Sequence, residues 1–189
     1  MPGRTGTPWL DAAAAVTDNR AVARTKKPLL LAIGAVLACL VVVLVTLRVV
    51  GLEPRERRPG LWLGGTLVTA PVSDWSFTDT YQTIFVQTRT WYGVPHSVTT
   101  VCVAHEGRLY LTSTYPPGGR FPDDRAWNRN VVRDPRVRLK IGERLFYARL
   151  ALVSDPAEKN AVLEAKARKY SRSPVVDGAR VHVFRVAPG

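Results

Sequence analysis

The sequence predicts a mainly β (α+β) domain, a six-stranded antiparallel barrel with two short helices, preceded by one transmembrane helix. Three observations carry this. An uncharged run of 19 residues, Leu29–Leu47, lies near the N-terminus. Beyond residue 60, short β-branched and aromatic runs are separated by turns rich in Gly, Pro and Asp. In that region only the stretches 125–133 and 156–170 carry helix-start signals.

The uncharged run, LLLAIGAVLACLVVVLVTL, has no polar stripe of the kind a core helix shows. At about 1.5 Å per residue it matches the roughly 30 Å hydrocarbon layer of a bilayer. Arg48 follows at its edge, and Gly51 and Pro54 end the run, so the span is set at 29–50. The run is longer than the apolar part of a signal peptide, and no small-x-small cleavage site follows it. Residues 1–28 hold too few large apolar side chains for a core and read as a flexible basic tail. Four basic residues lie close before the apolar run (Arg20, Arg24, Lys26, Lys27) and four close after it (Arg48, Arg55, Arg57, Arg58), so charge leaves the side of the soluble domain undetermined. The localisation expected is a single-pass membrane protein.

Of 189 residues, 27 are Lys or Arg and 15 are Asp or Glu, a net charge of +12. Residues 1–51 hold 6 basic and 2 acidic groups, which leaves 21 and 13 for the remainder. Both parts are basic, which suits phosphate-bearing ligands or anionic headgroups, and equally a soluble Arg-rich surface. Cys39 lies in the apolar run and Cys102 in an expected strand, so no intrachain disulfide and no Cys-based metal site is expected. His96, His105 and His182 lack metal-ligand spacing.

Residues 51–60 (GLEPRERRPG) read as a linker and 61–189 as the domain. Residues 61–69 suggest a short strand or hairpin, and 74–81 take no firm assignment. Strands are expected at 84–91, 97–104 and 109–114, the last two joined by the turn His105–Arg108. Asp123 or Asp124 is expected to cap a helix over 125–133. Residues 136–141 alternate, with Val137, Leu139 and Ile141 inward and Arg136, Arg138 and Lys140 on a basic outer face. A strand over 145–153 follows. Asp155 and Pro156 start a helix in which Glu158 can reach back to the cap and the apolar Val162, Leu163 and Ala167 lie near helical spacing. A last strand covers 180–186. Tight turns make the sheet mainly antiparallel, and six such strands close most readily into a small barrel without open edges.

No Gly-x-Ser-x-Gly, His-Glu-x-x-His, Walker-type loop or Gly-x-Gly-x-x-Gly is present. The informative stretch is 109–142. Hydroxyls of Thr112, Ser113 and Thr114 precede a Gly118-Gly119 loop, then a helix start with Arg120 and Arg125 nearby. This set can bind an anion such as a cofactor phosphate, although the residues alone favour a polar loop with solvent-facing arginines.

Trp127-x-x-Asn130, then Asp134-Pro135-Arg136-Val137 and the turn at Ile141-Gly142, resembles the deazaflavin-dependent nitroreductase family, within the wider pyridoxamine-phosphate-oxidase-like, FMN-binding split barrels. Ser154–Glu158 with its helix and the hairpin 95–114 extend the resemblance over residues 82–170. It implies a six-stranded split barrel, commonly dimeric, that binds FMN or deazaflavin. On matching positions it implies cofactor contacts from Ser97, Thr99, Thr112, Ser113 and Thr114, phosphate contacts from Arg120 and Arg125, and a helix edge made by Trp127 and Asn130. The basic loop found before the second strand in many deazaflavin binders is here Trp91–His96, which leaves the choice of cofactor open. The function expected is a membrane-anchored flavin- or deazaflavin-binding oxidoreductase-like protein that reduces a lipophilic acceptor. The alternative is a non-catalytic barrel that binds a protein partner or anionic lipid. Tethering to a membrane argues against nucleic acid as the partner.

Overall fold

The computed structural model describes residues 19–56, 58–171, 178 and 180–189. The first 18 residues of the expected tail lie outside the described residues. Helix α1 runs from Asn19 to Val50 and contains Pro28. It begins ten residues before the expected span. From Pro28 to Val50 it is 23 residues long, apolar and unburied, which is long and apolar enough to cross a membrane. Its one hydroxyl in the second half, Thr46 Oγ1, donates to the Val42 carbonyl at 2.8 Å, the usual satisfaction of a threonine within a helix.

The remainder of the chain forms a barrel. The strands are β1 (Thr66–Leu67), β2 (Thr83–Arg89), β3 (Pro95–His105), β4 (Arg108–Tyr115), β5 (Arg136–Ile141), β6 (Arg144–Leu152) and β7 (Arg180–Pro188). Helices α2 (Ala126–Arg133) and α3 (Pro156–Lys169) and a 3-10 turn (Ser76–Thr80) complete it. The six long strands close in the order β2-β3-β4-β7-β6-β5 and back to β2, every pairing antiparallel. Strand β1 adds in parallel to β6, with Thr66 opposite Arg144. This is the mainly β, six-stranded barrel expected. Closure leaves no long unpaired edge among these six strands.

The interior is filled by alternate residues from every strand, among them Ile84, Val86, Cys102, Leu109, Leu111, Leu139, Phe146 and Phe184. Each large side chain buried here is worth about 1.5–3 kcal/mol relative to exposure. A second apolar layer lies outside the barrel, where α3 sets Val162 and Ala165 against Val103, Tyr110 and Val183.

Four local expectations change. The cap of α2 is Arg125, with no side-chain cap bond. Asp124 instead accepts from Arg120 N at 2.8 Å and so closes the preceding loop. In α3, Asp155 caps as expected, accepting from Ala157 N and Glu158 N. Glu158, however, accepts from Tyr110 Oη at 2.8 Å and Arg185 Nη1 at 3.1 Å, because burying the tyrosine hydroxyl demands a partner. The buried alanine of α3 is Ala165, three residues on from Val162 and so on its face, whereas Ala167 is exposed. Lastly, Lys140 is no part of an open basic face. Its side chain is 7% exposed, held by Glu53 at 2.5 Å and Glu143 at 3.2 Å. Burial alone lowers its pKa, but the two carboxylates outweigh it and hold the ammonium above its ordinary value. The 51–60 segment supplies that cover. Leu52 pairs with Trp62 through its N–H, and Gly60 bridges Ser97.

Candidate functional site

Most of the candidate residues lie on β3, β4 and α2, near where β3 and β4 part. Their ladder runs only from His105–Arg108 to Cys102–Leu111. Beyond it β3 continues along β2 as far as Pro95, while its other edge takes Gly60 opposite Ser97. Thr100 Oγ1 still reaches the Thr112 carbonyl, at 3.4 Å. The barrel is thus split on this side, and α2 closes the end.

Strand alternation sorts the candidate residues. Cys102 and Leu111 point into the barrel, and so does Ser113. Ser97, Thr99, Thr112 and Thr114 take the opposite, outward parity. Ser97 and Thr112 are buried at 0% and 4% exposure, yet Ser97 Oγ and Thr112 Oγ1 have no hydrogen-bond partner among the described residues. Buried hydroxyls are normally paired, so these two depart from the usual pattern. Thr99 and Thr114 are half-buried.

The inward residues form a network that leaves only Asn128 Oδ1 without a partner among the described residues. Asn128 lies at 0% exposure, and its Nδ2 donates to Ser113 Oγ at 2.7 Å and Tyr115 Oη at 2.5 Å. Asn130 Nδ2 donates to Thr88 Oγ1 at 3.0 Å, which donates in turn to the His96 carbonyl at 3.0 Å. Trp127 packs on Phe184, ring centres 5.4 Å apart, within the barrel core. Trp127 and Asn130 therefore fasten α2 into the barrel end. Asn128 and Tyr115, which the sequence reading passed over, complete the same network. Their signal was faint: a polar residue one place after a core tryptophan reads as a surface position until the helix phase is known.

The two arginines stand at the rim. Arg125 Nη2 donates to the Thr114 carbonyl at 2.5 Å, and the guanidinium lies 5.3 Å from the Tyr115 ring centre. Arg120 is exposed and pairs with Asp124 at 3.5 Å. Each keeps free N–H groups. The Gly118-Gly119 loop offers fewer donors than its sequence suggests. Gly119 N donates to the Pro116 carbonyl at 3.0 Å, and the Gly119 carbonyl accepts from Arg180 Nη2 at 2.6 Å.

Nearby, the His182 and Phe121 rings stack at 4.0 Å. Burial, followed by the charges of Lys159 and Arg180, lowers the His182 pKa. At the far end of α3, Lys169 Nζ donates to the carbonyls of Thr78 and Cys102, both at 3.0 Å. Tyr170 Oη donates to the Gln82 carbonyl at 2.6 Å, and burial pushes that phenol up to about 12. These bonds clasp the helix to β3. Burial also raises the Cys102 thiol, which stands as a core residue.

The six strands, their split and the plugging helix define a small split-barrel protein. No family model and no curated protein matches the chain. Several solved structures are similar to it. HutZ, the haem storage protein from Vibrio cholerae, has 15% identity, covers 60% of this chain and 86% of its own, and gives a TM-score of 0.43. A protein of the pyridoxinephosphate oxidase family from Clostridium acetobutylicum, related to general stress protein 26, has 12% identity, 58% and 77% coverage and a TM-score of 0.42. An F420-H2 dependent reductase has 16% identity, 57% and 95% coverage and a TM-score of 0.41. These likenesses are of outline, and the closed barrel stands on its own ladders.

Proposed function

We propose that the chain is a membrane-anchored flavin- or deazaflavin-binding oxidoreductase-like protein that passes electrons to a lipophilic acceptor. One observation carries the cofactor reading. Two buried hydroxyls, Ser97 Oγ and Thr112 Oγ1, lack partners on outward faces of the strands that part, where the motif resemblance asks for cofactor contacts. Arg120 and Arg125 at the rim retain N–H groups for a phosphate. Thr99 and Thr114 stand on the same outward parity and line the approach. A bound flavin or deazaflavin supplies the hydride chemistry, while this chain binds it, orients it and keeps water from its buried side. The span Pro28–Val50 is the anchor, and it supports a quinone-like acceptor dissolved in the bilayer. A homodimer, in which a second copy covers the open side of the site, completes the reading.

The test is a titration of the full chain in detergent with FMN and with deazaflavin, following fluorescence quenching. Micromolar binding of one of them, weakened by Arg120→Ala and Arg125→Ala, supports the reading and selects the cofactor. A folded protein by circular dichroism that binds neither refutes it. Turnover of a soluble quinone by the loaded protein tests the acceptor class.

A further inference from the structure

The β2–β3 turn presents the most exposed aromatic pair of the barrel. Trp91 is 82% exposed, Tyr92 60% and Val94 39%. Their exposure is not the looseness of a floppy loop. Thr90 N and Thr90 Oγ1 both donate to the Val94 carbonyl, at 3.0 and 2.7 Å, and Gly93 N donates to the Thr90 carbonyl at 3.1 Å with Gly93 at φ +83. The two rings meet edge to face at 5.2 Å. Arg133 at the end of α2 donates to the Arg89 carbonyl and ties that helix to the hairpin.

Beside this tip lies a cleft of about 580 Å³ between the hairpin and β5–β6, with Arg89, Arg136, Arg138 and Tyr147 in its wall. Asp134 is the one carboxylate lining it, and Arg136 already takes it at 2.9 Å. Across the β5–β6 ladder Arg136 stands directly opposite Arg149, both exposed. Like charges paired across strands destabilise a sheet unless something negative lies over them. Arg138 is half-buried, its guanidinium 5.0 Å from the Tyr147 ring centre and its Nη2 donating to Tyr147 Oη at 2.6 Å. Rigid, exposed Trp and Tyr beside a field of arginines is the composition that settles at the headgroup level of a membrane.

We propose that the β2–β3 tip and the outer face of β5–β6 dock on an anionic bilayer surface, with Trp91 and Tyr92 seated among the headgroups and Arg89, Arg136, Arg138 and Arg149 on the phosphates. The charge complementarity commits the face to a lipid surface, and the chain's own apolar helix ends at Val50, so a bilayer is close by in sequence. The proposal rests on the anchor reading given above and is independent of the cofactor.

The experiment places the full chain in nanodiscs made with brominated acyl chains, either purely zwitterionic or part anionic, and follows tryptophan quenching. The chain has five tryptophans, so Trp91→Phe isolates the tip. Expected is extra quenching in anionic discs that Trp91→Phe abolishes. Arg136→Gln or Arg138→Gln should lower the docked-to-undocked ratio about fivefold each, the equivalent of about 1 kcal/mol per basic residue at such a surface. Equal quenching in both discs, or anion-dependent quenching that survives Trp91→Phe, overturns the proposal. So does loss of the effect with inorganic phosphate at matched ionic strength, which would mark a small-anion cleft. So does Trp91 shielded in detergent by a second copy. Failure to co-elute with discs sinks the anchor reading, whereas co-elution without Trp91 quenching sinks the docking alone.

Discussion

Thr112→Val separates what the barrel needs from what its site needs. Thr112 sits on β4 opposite Val183 of β7, 4% exposed, with its Oγ1 unpartnered among the described residues. A buried hydroxyl without a hydrogen bond costs about 1–3 kcal/mol. Valine keeps the β-branched shape and removes that cost, so the cofactor-free barrel should gain about 1–2 kcal/mol once small repacking losses are set against it. For a domain of this size that raises Tm by about 3–8 °C. If the hydroxyl is instead used by a bound cofactor, the same substitution removes one hydrogen bond of about 0.5–1.5 kcal/mol and weakens binding about 2- to 12-fold. Thermal melting of the cofactor-free chain, followed by near-UV circular dichroism, reads the first effect. Titration with FMN or deazaflavin reads the second. A variant that melts lower than wild type refutes the reasoning, because the hydroxyl must then have had a partner. A variant that melts higher and binds as before removes Thr112 from the site.

Asn128→Ala should cost about 1–3 kcal/mol in denaturant melts, since it strands the Ser113 hydroxyl and leaves Tyr115 Oη only its long bond to the Pro122 carbonyl. Lys140→Met should cost about 3 kcal/mol, because it leaves Glu53 facing a buried position without its cation. A loss below about 1 kcal/mol would mean the 51–60 segment is not held there. Asp155→Ala should cost about 1 kcal/mol through loss of two bonds at the start of α3. The Arg136 side chain beside Asp134 holds that carboxyl at about 2. A depressed carboxyl stabilises the fold above its ordinary pKa and loses that contribution as pH falls towards the folded value. Arg136 is 67% exposed, so the amount is no more than about 1 kcal/mol. Asp134→Asn should therefore destabilise slightly at pH 5 and have no effect near pH 2, read by urea melts at both values.

The strands were legible because their periods are strong. Val137, Leu139 and Ile141 alternate with charged residues, and all three are buried. The start of α3 was legible because an Asp-Pro pair has a local meaning that needs no tertiary contact. What failed to show is what depends on distant partners. Glu158 looks like a capping residue until Tyr110 and Arg185, 48 and 27 residues away, take its carboxylate. Lys140 belongs to an alternating basic strand until Glu53, 87 residues away, folds over it. Asn128 has only a faint signature, because its role exists only once α2 is turned into the barrel end. The hydroxyl row was visible in composition, but only the strand parity separates outward Thr112 and Thr114 from inward Ser113.

The outer wall of the barrel divides unequally, and that division bears on both proposals. On β3, β4 and β7 it is covered by α3, and the residues there are Val103, Tyr110 and Val183. Where the 51–63 segment crosses β2, β3 and β5, it spends its polar groups one by one. Glu53 takes Lys140, Gly60 takes Ser97, and Leu63 N donates to Gln87 Oε1 at 2.8 Å. Arg136, Tyr147 and Arg149 stay exposed, with Trp62 and the half-buried Arg138 lining the cleft beside them. A wall that is apolar where helix covers it, and arginine-rich where it stays exposed, is what a barrel needs if one side meets its own chain and the other meets an anionic surface. The hydroxyls of Ser97 and Thr112 lie within the covered parts: Gly60 bridges Ser97, and Thr112 stands opposite Val183, which packs under α3. Substitutions at Arg136 or Trp91 should alter lipid dependence without moving the affinity for FMN or deazaflavin.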